Sequence, residues 1–267
     1  MHSSERVLFC HGTHIGLDRK KNEDSYLVID QATMPHRTQG RGMMFAIADG
    51  MGGHEAGEIA SDMACKGLLD FYDGRTKPDI EHASPESVLR HLEKAFWNSH
   101  GRIRRYADVN RLNAGMGTTL SVLVLYRDKA LIAHVGDSRI YRVRKDVLEL
   151  LTEDDTLARL SVEMGYVQPE EAASHPLRDA LSQSVGEGLE EVHARIESVE
   201  EGDIFLLCSD GLYHMITDDE IKEILKCSPM GPGVCRRLIK AALEKGGRDN
   251  VTVILIWVLS RPESSTA

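Results

Sequence analysis

The sequence predicts an α+β fold in which helices pack on antiparallel sheets. Three observations support this class. The predicted strands are mostly joined by short polar turns, as in hairpins. The helical segments come in pairs between groups of strands, and 42% of the residues are hydrophobic, which is enough for a sizeable core. A chain of 267 residues can form one large domain or two small ones. Because no linker rich in Pro, Gly or Ser divides it, we expect one domain over residues 1–260 and a frayed tail over residues 261–267.

The first part of the chain predicts three strands and a pair of helices. The strands are expected over residues 7–17, 25–29 and 43–49, with a loop over residues 31–42 before the third. The first helix has apolar or small residues at helical spacing, namely Ala60, Ala64, Leu68 and Phe71. The second helix begins cleanly because Ser84 can cap it and Pro85 suits its first position. Its buried stripe consists of Val88, Leu92, Ala95, Phe96 and Ile103.

The middle of the chain predicts a meander and then a helical interlude. Residues 119–126 and 130–135 form a plausible hairpin around a polar turn. Strands over residues 140–143 and 147–151 are expected to extend the same meander. Short helices over residues 156–164 and 169–173 then interrupt the sheet.

The last part of the chain returns to strands and a second helix pair. Strands are expected over residues 192–199 and 203–208. Thr217 and Glu220 form a capping box that opens one helix. A longer helix follows over residues 233–245, and a very apolar strand over residues 251–259 closes the fold.

Charge and cysteine content limit the classes of partner and compartment. The net charge is −10 without a basic stripe, so nucleic acid is not an expected partner. An anionic substrate would have to be attracted by local positive charge. The five cysteines form no CxxC pair, which favours reduced thiols. No signal-peptide core and no membrane-spanning run are present, so we expect a cytoplasmic location.

Four carboxylates border apolar, strand-like runs. They are Asp49, Asp137, Asp210 and Asp249. Side chains at strand ends lie at the loop edge, where sites are usually built. If these ends converge, the mutual repulsion of the acids requires a cation, which predicts a site for hard divalent metals and hence an enzyme. The alternative is that each acid is a turn residue, because Asp-Gly is a common turn pair.

Six short motifs occur in order along the chain. They are residues 19–24 (RKKNED), 49–54 (DGMGGH), 115–119 (GMGTT), 136–139 (GDSR), 208–212 (CSDGL) and 246–250 (GGRDN). Together they resemble the bacterial branch of the PP2C-like (PPM) metal-dependent serine/threonine protein phosphatases. The resemblance extends from about Gly12 to Val258. It implies a four-layer α-β-β-α sandwich, in which two antiparallel sheets pack face to face between helix pairs.

The resemblance also implies a metal centre. Asp49 would bridge two metal ions, and the carbonyl oxygen of Gly50 would bind one of them. Asp210 and Asp249 would hold the other ion. Asp137 would bind a third, weaker ion together with Asp210. From the residues alone, Asp137 could instead pair with Arg139 or cap a turn.

Three further residues are implied near this centre. Glu23 and Asp24 would order metal-bound water or bind metal directly, although both could be turn-forming residues only. Arg19 would grip the substrate phosphate, whereas residue type alone allows a solvated charge. A guanidinium can clasp two phosphate oxygens and keeps its charge at every working pH.

The expected chemistry matches these residue types. Two hard cations held by oxygen ligands acidify a water and offset the charge that develops during in-line attack on phosphate. Carboxylates suit Mn²⁺ or Mg²⁺, while the lack of Cys/His clusters disfavours zinc. We therefore expect two Mn²⁺ or Mg²⁺ ions per site, with a weaker third.

Two departures from the family pattern concern the chemistry and the substrate. Animal members carry a histidine directly after the metal-binding Asp-Gly, as the proposed general acid, but this chain has Met51 there. The general acid is therefore unassigned, and a metal-bound water could serve. Residues 152–173 resemble the mobile flap of the family, but residues 175–186 follow the usual pattern only loosely.

The predicted function is hydrolysis of phosphoserine and phosphothreonine in proteins by a metal-activated water. The catalytic acids would be Asp49, Asp210 and Asp249. Expected partners are phosphoproteins, including a Ser/Thr kinase and its targets. The alternatives are a catalytically silent phosphatase-like module that binds a phosphoprotein, and a phosphatase for small molecules.

Overall fold

The structure is a computed structural model that describes residues 6–30, 40–52, 56–73, 83–110 and 115–259. Most of the predicted loop over residues 31–42 and the whole predicted tail over residues 261–267 lie outside these ranges. Gly53 and His54, which end the DGMGGH motif, also lie outside them.

Two antiparallel sheets form the centre of the molecule. One contains, in spatial order, β1 (Arg6–His14), β11 (Val251–Leu259), β10 (Ile204–Cys208), β7 (Arg139–Arg144) and β8 (Val147–Leu150). The other contains β2 (Asp24–Ile29), β3 (Met43–Met51), β5 (Leu120–Tyr126), β6 (Lys129–Val135) and β9 (His193–Ser198). A two-residue strand, β4 (Gly117–Thr118), pairs with the end of β3.

Helices cover the outer face of each sheet. On the six-stranded sheet lie α1 (Ala56–Gly67), α2 (Leu69–Asp73) and α3 (Pro85–Val109). On the five-stranded sheet lie α5 (Asp210–Tyr213), α6 (Asp218–Lys226) and α7 (Pro232–Glu244). Between β8 and β9 the chain forms α4 (Leu157–Glu163) and a 3₁₀ helix (Pro169–Ser174). The predicted α-β-β-α order of layers is confirmed.

Side-chain alternation along the strands produces the layers. In β3, Met44, Ala46 and Ala48 pack against the helices, whereas Phe45 and Ile47 pack into the space between the sheets. In β11, Ile254 and Ile256 likewise enter the space between the sheets. Both faces of these strands are buried, which explains why they read as continuous apolar runs.

The predicted meander is wrong at one point. β7 and β8 do not extend the sheet of β5 and β6, because β7 pairs with β10 in the other sheet. The turn between β6 and β7 carries the chain across, and it depends on Gly136 at a φ of 103°. Local strand patterns do not distinguish a hairpin from such a crossing.

Other elements also differ from the prediction. β1 ends at His14 and not at residue 17. β3 continues past Asp49 to Met51, because Gly50 and Met51 pair with β4. The first predicted helix is divided near Leu68 into α1 and α2. The short helix α5 was not predicted, since a single turn leaves no periodic pattern.

Strand register brings one end of each sheet to the same edge of the molecule. In the five-stranded sheet, His14 pairs with Val251, and Cys208 pairs with both Val253 and Arg139. In the six-stranded sheet, Asp24 pairs with Asp49, and Leu120 pairs with Val135. The loops that carry Arg19, Asp137, Asp210 and Asp249 leave from these ends. We call this edge the acidic edge.

Candidate active site

Asp24 and Asp49 lie side by side at the acidic edge. They are directly opposed in the β2–β3 ladder, so their backbones are fixed relative to each other. One carboxylate oxygen of Asp24, Oδ2, accepts hydrogen bonds from the hydroxyls of Thr252 (2.6 Å) and Ser209 (2.8 Å). The other oxygen, Oδ1, is inaccessible to solvent and has no hydrogen-bond partner among the described residues. Burial, opposed by these two hydrogen bonds and reinforced by Asp210 and Asp249, raises the pKa of Asp24 to about 7.

Two threonines fix the backbone of Asp49. The Asp49 amide donates to the hydroxyl of Thr119 at 2.9 Å, and the Asp49 carbonyl accepts from the hydroxyl of Thr118 at 2.8 Å. Burial, and then the charges of Asp24 and Asp210, raise the pKa of the Asp49 carboxyl well above its ordinary value. In this arrangement an ionised Asp49 carries uncompensated negative charge.

Gly50 lies where two backbone segments touch. A Cβ atom at this position would lie 2.1 Å from the carbonyl oxygen of Gly57 in α1 and 2.7 Å from the carbonyl oxygen of Glu23. The Gly50 amide donates to that Glu23 carbonyl at 3.1 Å. The side chain of Glu23 is half-buried, and burial raises its pKa, while Arg19 opposes the shift. The structure therefore places Glu23 beside Gly50 and α1.

Asp210 begins α5 directly after β10. Its Oδ1 atom is buried and has no hydrogen-bond partner within the part of the chain that the structure describes. Its Oδ2 atom lies 3.4 Å from Nδ1 of His214, one helical turn away. Nε2 of His214 lies 3.4 Å from Oδ1 of Asp179, in the segment that precedes β9. The sequence suggested that Asp210 borders a strand end. In the structure Asp210 is the first residue of a helix, two residues after the last residue of β10.

Asp249 contacts Arg19 across two loops. Nη2 of Arg19 donates to Oδ2 of Asp249 at 2.5 Å, and this hydrogen bond is the main cause of the raised pKa of Arg19. The next residue, Asn250, holds the Arg19 loop in place. Its amide nitrogen donates to the carbonyls of Ile15 and Lys21, and its oxygen accepts from the Glu23 amide.

Asp137 is buried beside Asp210. Burial is the largest cause of its raised pKa, followed by the charges of Asp210 and Asp154. The hydroxyl of Tyr213 donates to the Asp137 carbonyl at 3.0 Å. Arg139 does not pair with Asp137, so that alternative is wrong. Arg139 instead binds both carboxylate oxygens of Asp154.

Asp210 and Asp249 open onto a cleft of about 850 Å³. The cleft lies between the acidic edge and the segment that contains α4 and the 3₁₀ helix. Of the described residues, five arginines line the cleft: Arg19, Arg139, Arg159, Arg178 and Arg248. The cleft therefore combines acids at its base with guanidinium groups on its walls.

Several residues with a clear part in this geometry were not identified from the sequence. Thr119 was given no role of its own within the GMGTT motif, yet its hydroxyl accepts a hydrogen bond from the Asp49 amide. Ser209 and Thr252 bind Asp24 from a different sheet, and no local pattern signals such contacts. The contact of His214 with Asp210 depends on the single turn of α5, which the sequence did not reveal.

The oxygen atoms at the acidic edge suit a hard divalent cation. Asp24 and Asp210 each leave a buried carboxylate oxygen without a partner, and burial makes ionised Asp24, Asp49 and Asp137 unfavourable without added positive charge. However, these acidic side chains do not yet have the arrangement of a metal site. Within the described ranges, no three His, Cys, Asp or Glu side chains are arranged so that they could hold a metal ion.

Comparison with known proteins identifies a family that matches this chain. The sequence profile of the family described as "Protein phosphatase 2C" matches residues 20–245. The protein phosphatase PhpP of Streptococcus pneumoniae is 36% identical over 249 residues, which cover 91% of this chain and 94% of PhpP. The serine/threonine phosphatase stp of Listeria innocua is 34% identical over 237 residues, which cover 85% of this chain and 92% of stp.

A solved structure also matches. The catalytic domain of the serine/threonine protein phosphatase PstP, in complex with two manganese ions, aligns with a TM-score of 0.77 and 32% identity. The alignment covers 95% of this chain and 99% of that domain. No helix among the described residues is long and apolar enough to cross a membrane.

Proposed function

The chain belongs to the protein phosphatase 2C family and is a metal-dependent protein serine/threonine phosphatase, and from this premise we propose which residues perform the hydrolysis. Asp49, Asp210 and Asp249 are the proposed catalytic and metal-binding acids. The carbonyl of Gly50 is a proposed further ligand, and Glu23 and Asp24 lie next to them. The observation that carries this proposal is geometric: Asp24 lies opposite Asp49 in the β2–β3 ladder and accepts hydrogen bonds from Ser209, next to Asp210, and from Thr252, three residues after Asp249.

The cofactor is a divalent metal, as the manganese ions of PstP support. We propose two Mn²⁺ or Mg²⁺ ions in this chain, with a weaker third ion at Asp137 and Asp210. When bound, such ions supply an acidified water and offset negative charge on the phosphate. They would draw the carboxylates together, which Asp210 and Asp249 have room to do because their side chains are 18% and 29% exposed.

The residues around these acids hold them in position. Thr118 and Thr119 fix the Asp49 backbone, and Ser209 and Thr252 orient Asp24. Arg19 is the proposed phosphate-binding residue, because its guanidinium reaches Asp249 while half of its side chain stays exposed to the cleft. Its remaining N–H groups can donate to phosphate oxygens.

Phosphoproteins are the substrates, as for the related protein phosphatases. We further propose that the substrates include a Ser/Thr kinase and its targets, and that the protein acts in the cytoplasm. The alternative of a catalytically silent binding module is not favoured, because Asp49, Asp210 and Asp249 are all retained.

The test is manganese-dependent turnover of a phosphopeptide. We expect hydrolysis with Mn²⁺ and none with a chelator. Asp49→Asn and Asp210→Asn should each lower kcat about 100- to 1,000-fold, since each removes charge that the reaction requires. Asp62→Asn is the matched control, because Asp62 is a partly exposed acid on α1 that forms an ion pair with Lys66. Full turnover in the presence of chelator, or in the Asp49→Asn variant, would refute the proposal.

A calorimetric titration distinguishes the silent alternative. The proposed enzyme should take up manganese, and Asp49→Asn should weaken that uptake. A silent module would bind the phosphopeptide and take up none.

A further inference from the structure

Arg248 is the cleft arginine whose charge is not used within the described structure. Arg19 binds Asp249, Arg139 binds Asp154, and Arg178 binds Asp179. Arg159 binds Glu153 and Glu163. Arg248 is exposed and lines the same cleft, yet it forms no hydrogen bond or ion pair with any residue in the described ranges.

The backbone beneath Arg248 is held firmly. Gly246 and Gly247 have φ values of 126° and 50°, which form a turn that other residues rarely adopt. The carbonyl of Gly247 accepts a hydrogen bond from the Leu17 amide at 2.6 Å. A Cβ atom on Gly16 would lie 2.3 Å from the Asp249 carbonyl oxygen, so the two loops interlock without space between them. Arg248 therefore extends from a fixed position next to Asp249.

This interlocking places Arg19 and Arg248 on two touching loops that line the same cleft. Arg19 bonds to Asp249 from the loop after β1, and Arg248 precedes Asp249 in the loop before β11. Asp210 and Asp249 also line the cleft, and both are proposed metal ligands. Glu153, Asp154 and Asp179 on the opposite wall already have arginine partners. A substrate anion entering beside Arg19 would meet Arg248 as an unpaired donor.

We infer that Arg248 determines substrate specificity by binding a second negative group of the substrate, close to the phosphorylated residue. The inference rests on the proposed function. The group is an oxyanion, either the carboxylate of an acidic side chain or a second phosphate, since a guanidinium binds both in a bidentate manner. The protein carries a net charge of −10, so such a preference needs a local cation. The reach of an arginine side chain corresponds to roughly two residues of extended peptide.

The test uses a set of phosphothreonine peptides that differ at one position, two residues before or after the phosphothreonine. That position holds Ala, Glu, Lys or a non-hydrolysable phosphonate residue. For each enzyme variant, kcat and KM are measured with Mn²⁺ for every peptide. The kcat/KM of each peptide is then divided by the kcat/KM of the Ala peptide, and these ratios are compared between variants. Ratios taken within one variant do not depend on how much of that variant is folded.

We expect the wild type to prefer Glu or phosphonate over Ala about fivefold, through a lower KM and with little change in kcat. Arg248→Gln should remove the preference, and Arg248→Glu should reverse it in favour of Lys. The matched control is Arg105→Glu, because Arg105 is exposed on α3 and does not line the cleft. It should keep the wild-type preference. A preference for phosphonate but not for Glu identifies a second phosphate as the recognised group.

Equal ratios in the wild type, or a preference that Arg248→Glu leaves unchanged, would overturn the inference while the phosphatase activity stands. Failure of the wild type to hydrolyse any of the peptides with Mn²⁺ would instead contradict the proposed function, and the inference with it. Added salt should reduce the wild-type preference, because charge pairs at the protein surface are screened.

Discussion

At Asp24, the pKa of one carboxyl links the site to the stability of the protein. Burial raises the pKa of Asp24 from 3.8 to about 7. Between these values the folded state binds more protons than the unfolded state, so the free energy of unfolding falls as the pH rises through this range. Above about pH 7 the decrease in the free energy of unfolding that Asp24 causes is complete. The metal-free protein therefore carries a charge penalty at neutral pH that a cation can relieve.

Substitution Asp24→Asn tests this linkage. Asn keeps an oxygen that can accept from Ser209 and Thr252 but cannot become charged. In metal-free protein we expect the variant to gain stability relative to the wild type as the pH rises from 5 to 8, by on the order of 2 kcal/mol. Urea unfolding of both proteins at several pH values measures the difference. A difference that does not change with pH would contradict the raised pKa.

The sequence motifs predicted which acids lie at the same edge of the molecule, whereas the roles of these residues remain predictions. Asp24, Asp49, Asp137, Asp210 and Asp249 do share one edge. The sequence could not show which oxygen atoms lack partners, because the hydroxyls that satisfy Asp24 come from β11 and from the turn after β10. It also could not decide the partner of Arg139, which proved to be a residue 15 positions later.

The contact between β3 and α1 depends on two glycines, Gly50 in β3 and Gly57 in α1. The Gly57 carbonyl and the Glu23 carbonyl occupy the space that a side chain at position 50 would need. The start of α1 can therefore approach the end of β3, next to Asp49. This close approach brings the backbone of the proposed metal ligand Gly50 against the helix.

Substitution Gly50→Ala should destabilise the protein severely. The added Cβ would lie 2.1 Å from a backbone oxygen, and neither backbone segment can yield without moving β3 or α1. We expect a loss of about 3 kcal/mol or more, measured by thermal or urea unfolding. Gly233→Ala is the matched control, since a Cβ there has no neighbour within 4 Å and the residue lies in the first turn of α7. It should be neutral or slightly stabilising. Equal stability of Gly50→Ala and the wild type would show that the β3–α1 contact is looser than described.

Element types were predictable from the sequence more readily than their partners. The capping boxes, the helical stripes and the apolar runs correctly identified α3, α6, α7 and β11. The placement of β7 was wrong, because pairing depends on where a turn directs the chain and not on the strand itself. β4 and α5 were missed because segments of two and four residues have no measurable period.

For the whole molecule, metal binding and folding are coupled. Buried acids from both sheets repel one another when ionised, and a cation bound among them stabilises only the folded state. We expect saturating Mn²⁺, at about 100 times its Kd, to stabilise the protein by about 2.7 kcal/mol. Thermal unfolding with Mn²⁺ and with chelator measures the shift in Tm. Asp49→Asn should show a much smaller shift, whereas an equal shift would place the ions elsewhere.

The pairing of β1 with β11 determines where a tag or a fused domain can be attached without blocking the cleft. Arg6 lies opposite Leu259, so the two ends of the described fold are neighbours, and both are at the far end of the strands from Asp249. The Arg6–Leu259 pair and the His14–Val251 pair are eight residues apart along the strands, which corresponds to about 27 Å. A tag, a fused domain or a short peptide that joins residue 259 back to residue 6 would therefore leave the entrance of the cleft unobstructed. Circular permutation through such a joint should preserve phosphatase activity.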